Sequence, residues 1–192
     1  MRDGHSTADR LIGQMAASRA PGDVVRAIGR FTAVCRDAAG NVLWEDEFPN
    51  LLTTLGKNLL LDTTLAGSAY TVVGPYMGLI SSTSFSAVVA ADTMASHAGW
   101  LEAGTTNAPT YSARIVCAWS AASAGVKALS AALTFTMTGT GTVQGAFLVT
   151  GSGAVVTNLS TAGTLYAGGV LGTPQPVVST NTLAMSYSTT LT

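Results

Sequence analysis

The sequence predicts an all-β fold: a jelly-roll-like β-sandwich over residues 23–192, with an N-terminal arm at 1–22 and one or two short helices. Three observations predict it. Long stretches alternate apolar and small polar residues with a period of two, the signature of strands with one buried face. Glycine-containing breaks punctuate those stretches at fairly regular intervals, as in sandwiches and barrels. From Ala128 to Thr192 there is no Asp, Glu, Lys or Arg, so this third of the chain offers side chains for packing rather than for charge chemistry.

Composition narrows the class further. Charged residues make up 10% of the chain and hydrophobic ones 47%, with a formal net charge of -1. That balance gives no basic field to attract nucleic acid. It also favours association over a freely soluble monomer. No apolar run approaches the ~18 residues of a spanning helix, and aromatic content of 7% is low for the girdles of a membrane barrel. The first residues include Arg2, Asp3, His5, Asp9 and Arg10 and no apolar core of a signal peptide. Cys35 and Cys117 show no metal-ligand spacing and are expected as small buried hydrophobes, with a disulfide as the lesser alternative.

In chain order, Ser6 or Thr7 can cap a short helix with Leu11, Ile12 and Met15 on one face, ended by Ala20-Pro21-Gly22-Asp23. So short a helix is marginal alone. The arm is therefore expected to pack on its own domain, to dock on a neighbouring subunit, or to be disordered. Val24 to Arg36 predicts a strand with Phe31, Ala33 and Cys35 inward and Arg26, Arg30 and Arg36 outward. Asp37 to Asn41 is a turn, and Val42, Trp44 and Phe48 lie on a second strand that Pro49-Asn50 should break. Across this hairpin the three arginines face Glu45, Asp46 and Glu47, which offsets a nucleic-acid-binding reading of the basic row. Thr53 or Thr54 caps the clearest helix, running to about Leu65 with Leu55, Leu59, Leu60 and Leu61 apolar, and covering an end or edge of the sheet.

Tyr70 to Ile80 predicts a strand with Pro75 at an edge or bulge, followed by a polar loop over 81–90. Asp92 can cap a single helical turn that Gly99 stops. Trp100 then enters an extended segment, and Tyr111 to Trp119 predicts a further strand. Leu129, Ala131, Leu133, Phe135 and Met137 form one inward row, and Gly139-Thr140-Gly141 turns it into a hairpin with Val143, Gly145, Phe147 and Val149. Gly163 to Leu171 is a third strand of this region. Pro174 and Pro176 suggest a connection, and Leu183, Met185 and Tyr187 face inward on the last strand.

Asp92, Ser96, His97 and Glu102 bring base, nucleophile and acid types together within eleven residues, the raw material of a hydrolytic site. Their spacing within one short turn does not build a nucleophile–base–orienter chain, so a capped turn is the expected role. No zinc, calcium or phosphate-loop pattern is present, and no cofactor is expected. Arg114, nearly alone in the second half, is expected to pair with Glu102 or Asp92 inside the fold or to make an intersubunit contact.

Several stretches together resemble a group of structural proteins of tailed bacteriophages and prophages. They are Asn50-Leu51-Leu52-Thr53-Thr54-Leu55-Gly56-Lys57-Asn58, then Tyr76-Met77-Gly78-Leu79, then Ala91 to Glu102, then Tyr111 and Arg114. The resemblance covers roughly 30–190, and Asp92 to Trp100 is its most specific part. It implies a non-enzymatic virion component assembled in the host cytoplasm: a capsid decoration (cement) protein clamping the shell of the major capsid protein. It also implies a dimer or trimer, with no nucleic-acid or membrane partner. A tail or fibre-base protein is the alternative, and a carbohydrate-binding module using Trp100, Tyr111, His97 and Asp92 is a more distant one. The candidate interface residues are Leu11, Ile12, Met15, Arg26, Arg30, Trp100 and Arg114. The arm is expected to strengthen capsid attachment by raising effective concentration.

Overall fold

The computed structural model describes residues 26–65 and 73–192. The fold is all-β, and its strands join into one continuous antiparallel sheet that folds over on itself. One layer contains β1 (Ala27–Arg36), most of β2 (Val42–Leu52), β10 (Thr182–Leu191), and the short β6 (Val126–Ala128) and β7 (Leu133–Thr136). The other contains β3 (Tyr76–Ser81), β8 (Gly141–Thr150) and β9 (Thr164–Val177), with the two-residue strands β4 (Leu101–Glu102) and β5 (Ile115–Val116) beside β3. β2 joins the layers. It pairs with β1 as far as Pro49, then with β9 through Asn50, Leu51 and Leu52.

One core fills the space between the layers. Phe31 is at its centre, paired in register with Phe48 and Tyr187. Its ring lies 5.3 Å from Phe48, stacked, and 4.7 Å from Tyr187, tilted. The expected inward rows of β1 and β10 are buried: Phe31, Ala33 and Cys35, and Leu183, Met185 and Tyr187. Met77, Leu79, Ala146 and Leu148 face them from β3 and β8. Gly29 and Gly169 let these layers close, since a side chain at either would overlap Tyr187 or Phe31.

A second apolar cluster lies on the outer face of β3-β8-β9: Ile80, Phe147, Val149 and Leu165 beneath Met94 and Trp100, with Phe85 and Val88 at its margin. The 82–100 segment, expected as a polar loop over 81–90 and a capped turn after it, thus forms a third layer. β8 is consequently buried on both faces. A register shift between Val143 and Gly145 reverses its alternation, so Val143 joins the inner core with Ala146 and Leu148.

Several expectations are corrected. Pro49 does not end β2, because it sits where the strand passes from one partner to the other. Pro174 and Pro176 lie inside β9, at a stretch paired with β8 alone, where one edge is free of ladder bonds. β7 and β8 are not a hairpin. β7 pairs with β10 and β8 with β3 and β9, so Gly139-Thr140-Gly141 crosses between layers. Leu129–Met137 is not one strand, since the chain bulges off β10 between β6 and β7 and leaves Ala131 exposed. Tyr111–Trp119 is largely irregular, with bridges from Tyr111 to Met137 and from Trp119 to Leu129 flanking β5. β3 begins after Pro75.

α1 (Thr54–Leu65) is the helix the sequence predicts. Thr53 caps it: its hydroxyl accepts the Gly56 amide at 2.9 Å, and its carbonyl accepts Lys57 N–H at 3.0 Å. Thr53 N–H donates to the Tyr166 carbonyl, and Thr54 N–H to the Ala90 carbonyl, which ties the helix start to β9 and to the covering loop. Gly56 is its only fully buried residue. No helix among the described residues is long and apolar enough to cross a membrane.

Candidate interaction surface

Among the described residues, the buried charged side chains are Asp92, Glu102 and Arg114, and the structure turns their chemistry inward. Asp92 does not cap a helical turn. Its Oδ2 accepts Val89 N–H at 2.8 Å and the Trp100 indole N–H at 3.0 Å. His97 stacks on Trp100 at 3.9 Å between ring centroids, and its Nδ1 lies 3.0 Å from the Trp100 carbonyl oxygen. Gly99 is required by close approach rather than as a helix stop, because a Cβ there would overlap the Ala87 carbonyl. The hydrolytic grouping is therefore dispersed: Asp92 is committed to Trp100, His97 to the backbone beside it, and Glu102 to Arg114.

Arg114 is the hub of a buried network. Its Nε and Nη2 donate to the two carboxylate oxygens of Glu102 at 2.8 and 2.6 Å. Nη2 also donates to the Ser160 carbonyl at 2.8 Å, and the guanidinium carbon lies 5.4 Å from the Phe147 ring centroid. Glu102 Oε2 accepts Leu159 N–H at 2.8 Å, holding Leu159 at φ 63°, a conformation that β-carbon-bearing residues rarely adopt. Asn158 donates to the Tyr111 carbonyl, and the Tyr111 hydroxyl accepts Leu79 N–H at 3.0 Å. Burial, reinforced by the Glu102 charge, pushes the Tyr111 phenol far above its ordinary value. The pairing of Arg114 with Glu102 is one of the two partners expected from sequence.

These placements redistribute the candidate interface residues. Trp100 is 1% exposed and Arg114 2%, so neither can meet a partner from its present position, and both act within the fold. Arg30 is exposed and forms an ion pair with Glu47 across the first hairpin. Arg26 is exposed at the start of β1, where its amide bonds to the Thr192 carbonyl at 2.7 Å. Leu11, Ile12 and Met15 lie outside the described residues.

Among the described residues, two surfaces stand out as open. The outer face of β10 and β7 presents Ser186, Ser188, Thr134 and Thr136, small and uncharged. The other surface was not expected from sequence: an apolar mouth around α1. Leu61 is 57% exposed and Leu65 78%, although the helix, with Leu61 among its apolar residues, was expected to cover an end or edge of the sheet. Two open grooves of about 490 Å³ each flank the helix. The first is lined by Ala27, Leu52, Leu60, Leu61, Leu65 and Leu191 among others, and the second by Leu59, Trp119, Leu148, Tyr166 and Tyr187 among others. The missed signal was Gly56. It fixes one end of α1 against the Tyr166 carbonyl, which leaves the apolar residues of the later turns beyond the sheet.

No protein-family description, curated protein or solved structure matches the chain.

Proposed function

We propose that the chain is a structural protein of a tailed-phage virion: a decoration protein that binds and stabilises the shell of the major capsid protein. The observation that supports it best is the contrast between interior and surface. The ionisable and aromatic groups of the Asp92–Arg114 region are consumed by internal bonds, while uncharged strand faces and an apolar mouth are left outside. Such a surface suits repeated contact with other subunits. The resemblance supports the same reading, because its most specific segment, Asp92–Trp100, is the brace that closes the third layer. Self-association as a dimer or trimer belongs to this reading. Catalysis and cofactors do not, nor do nucleic-acid or membrane partners.

The test is a density map of the particle, with purified protein added back to bare shells. Copies on the shell, and saturable co-sedimentation with it, are expected. Copies found only on the tail would replace the decoration role with a tail or fibre-base role. The carbohydrate-binding alternative loses its platform, since Trp100 and Tyr111 are both buried and offer no face to a sugar.

A further inference from the structure

We propose that the free edge of β2 takes up an extended segment of another protein, one that carries lysine or arginine at alternate positions. The inference stands apart from the virion reading. It begins with a ladder that stops on one side. From Val42 to Pro49, β2 pairs with β1, but β9 joins its other side only at Asn50, Leu51 and Leu52. The Pro49 carbonyl already points toward β9, since a Cβ on Gly169 would lie 2.9 Å from it. By the alternation of a strand, Glu45 and Glu47 aim their backbone groups to that same side, where no strand lies among the described residues. Glu47 N–H accordingly donates to the Asp46 side chain, at 2.7 Å, in place of a neighbouring strand.

The other edges are short or blunted. β4, β5, β6 and β7 span two to four residues each, and short edge strands resist pairing. β9 carries Pro174 and Pro176, which have no N–H, and the Pro176 carbonyl is taken by the Trp44 indole at 2.9 Å. Between Val42 and Phe48, β2 has no proline. Charge then selects the occupant. Glu45 and Glu47 are both exposed and, two positions apart, share one face of β2. Arg30 offsets Glu47, and Arg36 is turned to the Gly40 carbonyl. Glu45 and Asp46 have no ion-pair partner among the described residues. A second copy fits badly, because antiparallel pairing of two β2 edges centred on Glu45, Asp46 or Glu47 sets acid against acid. An incoming strand with cations opposite Glu45 and Glu47 gains those pairs and gives the Glu45 amide an acceptor. The same acids thus repel one partner and attract another.

Titration of the full-length chain with end-blocked peptides, followed through backbone amide NMR shifts, tests it. The first probe is a peptide of alternating lysine and threonine. The second has glutamate in place of lysine. The third is the lysine peptide N-methylated on the backbone of each lysine, which keeps the charge but removes the ladder donors. The first is expected to shift the amides of residues 43–48 and to bind about tenfold tighter, or more, than either control. Glu45→Lys/Glu47→Lys, with its β-sheet circular dichroism retained, should reverse the preference between the lysine and glutamate peptides. No binding of the lysine peptide, equal binding of its N-methylated form, an unchanged preference in the variant, or shifts centred outside β2 would each overturn the proposal. A wild-type dimer whose β2 amides are protected from exchange would give the edge to a second copy and overturn it as well.

Discussion

Glu102 grips Arg114 at two points, 2.8 and 2.6 Å, with both side chains out of solvent. The pair is more than mutual attraction. Glu102 also holds the Leu159 amide, and Arg114 holds the carbonyls of Val155 and Ser160. The pair thus fastens the 155–160 loop to β4. Breaking such a pair leaves a buried charge without its partner, at a cost of about 3–5 kcal/mol. Glu102→Leu and Arg114→Met should each destabilise by that order in urea unfolding. The double variant Glu102→Leu/Arg114→Met should cost clearly less than the sum, because no lone charge remains. It should still not reach wild type, since the Leu159 amide and the Ser160 carbonyl lose their partners. Strict additivity would show that the two charges are not coupled.

Trp100 supports the third layer in two ways. Its ring packs 5.2 Å from Phe147, and its N–H satisfies Asp92. Trp100→Phe keeps much of the packing but leaves Asp92 Oδ2 with the Val89 amide alone. A loss of about 1–3 kcal/mol is expected for the lost hydrogen bond to the Asp92 carboxyl, against about 3–5 kcal/mol for Trp100→Ala, which also opens a cavity. Equal losses in the two variants, measured by urea unfolding, would show that the indole hydrogen bond carries nothing.

These two sites also show where the sequence was readable. Arg114 stands nearly alone in an uncharged half, so a buried ion pair with one of two nearby acids was legible from composition. Alternation gave the inward rows of β1 and β10, because one face of each meets the core. It could not give partners. Period two says which face a residue occupies, not which strand lies beside it, so β7 and β8 read as a hairpin although they belong to opposite layers. The prolines of β2 and β9 read as breaks because a ladder with a missing neighbour cannot be seen in one dimension. α1 read as a covering helix because its leucines were counted without knowing that Gly56 anchors only its first turn.

Gly56 gives a test whose sign is opposite to the usual one. Inside a helix, alanine is favoured over glycine by about 1 kcal/mol. Here the added methyl would overlap the backbone oxygen of Tyr166, which accepts the Thr53 N–H at 3.1 Å and cannot swing aside without losing that bond. Gly56→Ala should therefore lower the melting temperature and loosen α1 from β9. Amide exchange should rise in 54–65 and much less in β1 and β10. A stabilised variant would mean that α1 rests on β9 less closely than the geometry requires.

The buried acids set the alkaline limit of the fold. Burial pushes the Cys117 thiol up to about 12 and the Tyr111 and Tyr187 phenols well above their ordinary value of 10.0. In each case the folded state holds its proton more tightly than the unfolded chain. Their contribution to stability is thus complete below the unfolded values, 9.0 for cysteine and 10.0 for tyrosine, and declines as pH rises beyond them. Unfolding free energy should consequently be insensitive to these groups near neutral pH and fall steadily from about pH 9 upward. Tyr111→Phe should flatten part of that fall while lowering stability at pH 7 by about 1–3 kcal/mol, because the Leu79 amide loses its acceptor. The same burial predicts that Cys35 and Cys117, both free thiols, resist a thiol reagent at pH 8 until denaturant is added. Rapid labelling of the folded chain, or a stability curve that stays flat to pH 11, would show that these groups reach solvent in the native state.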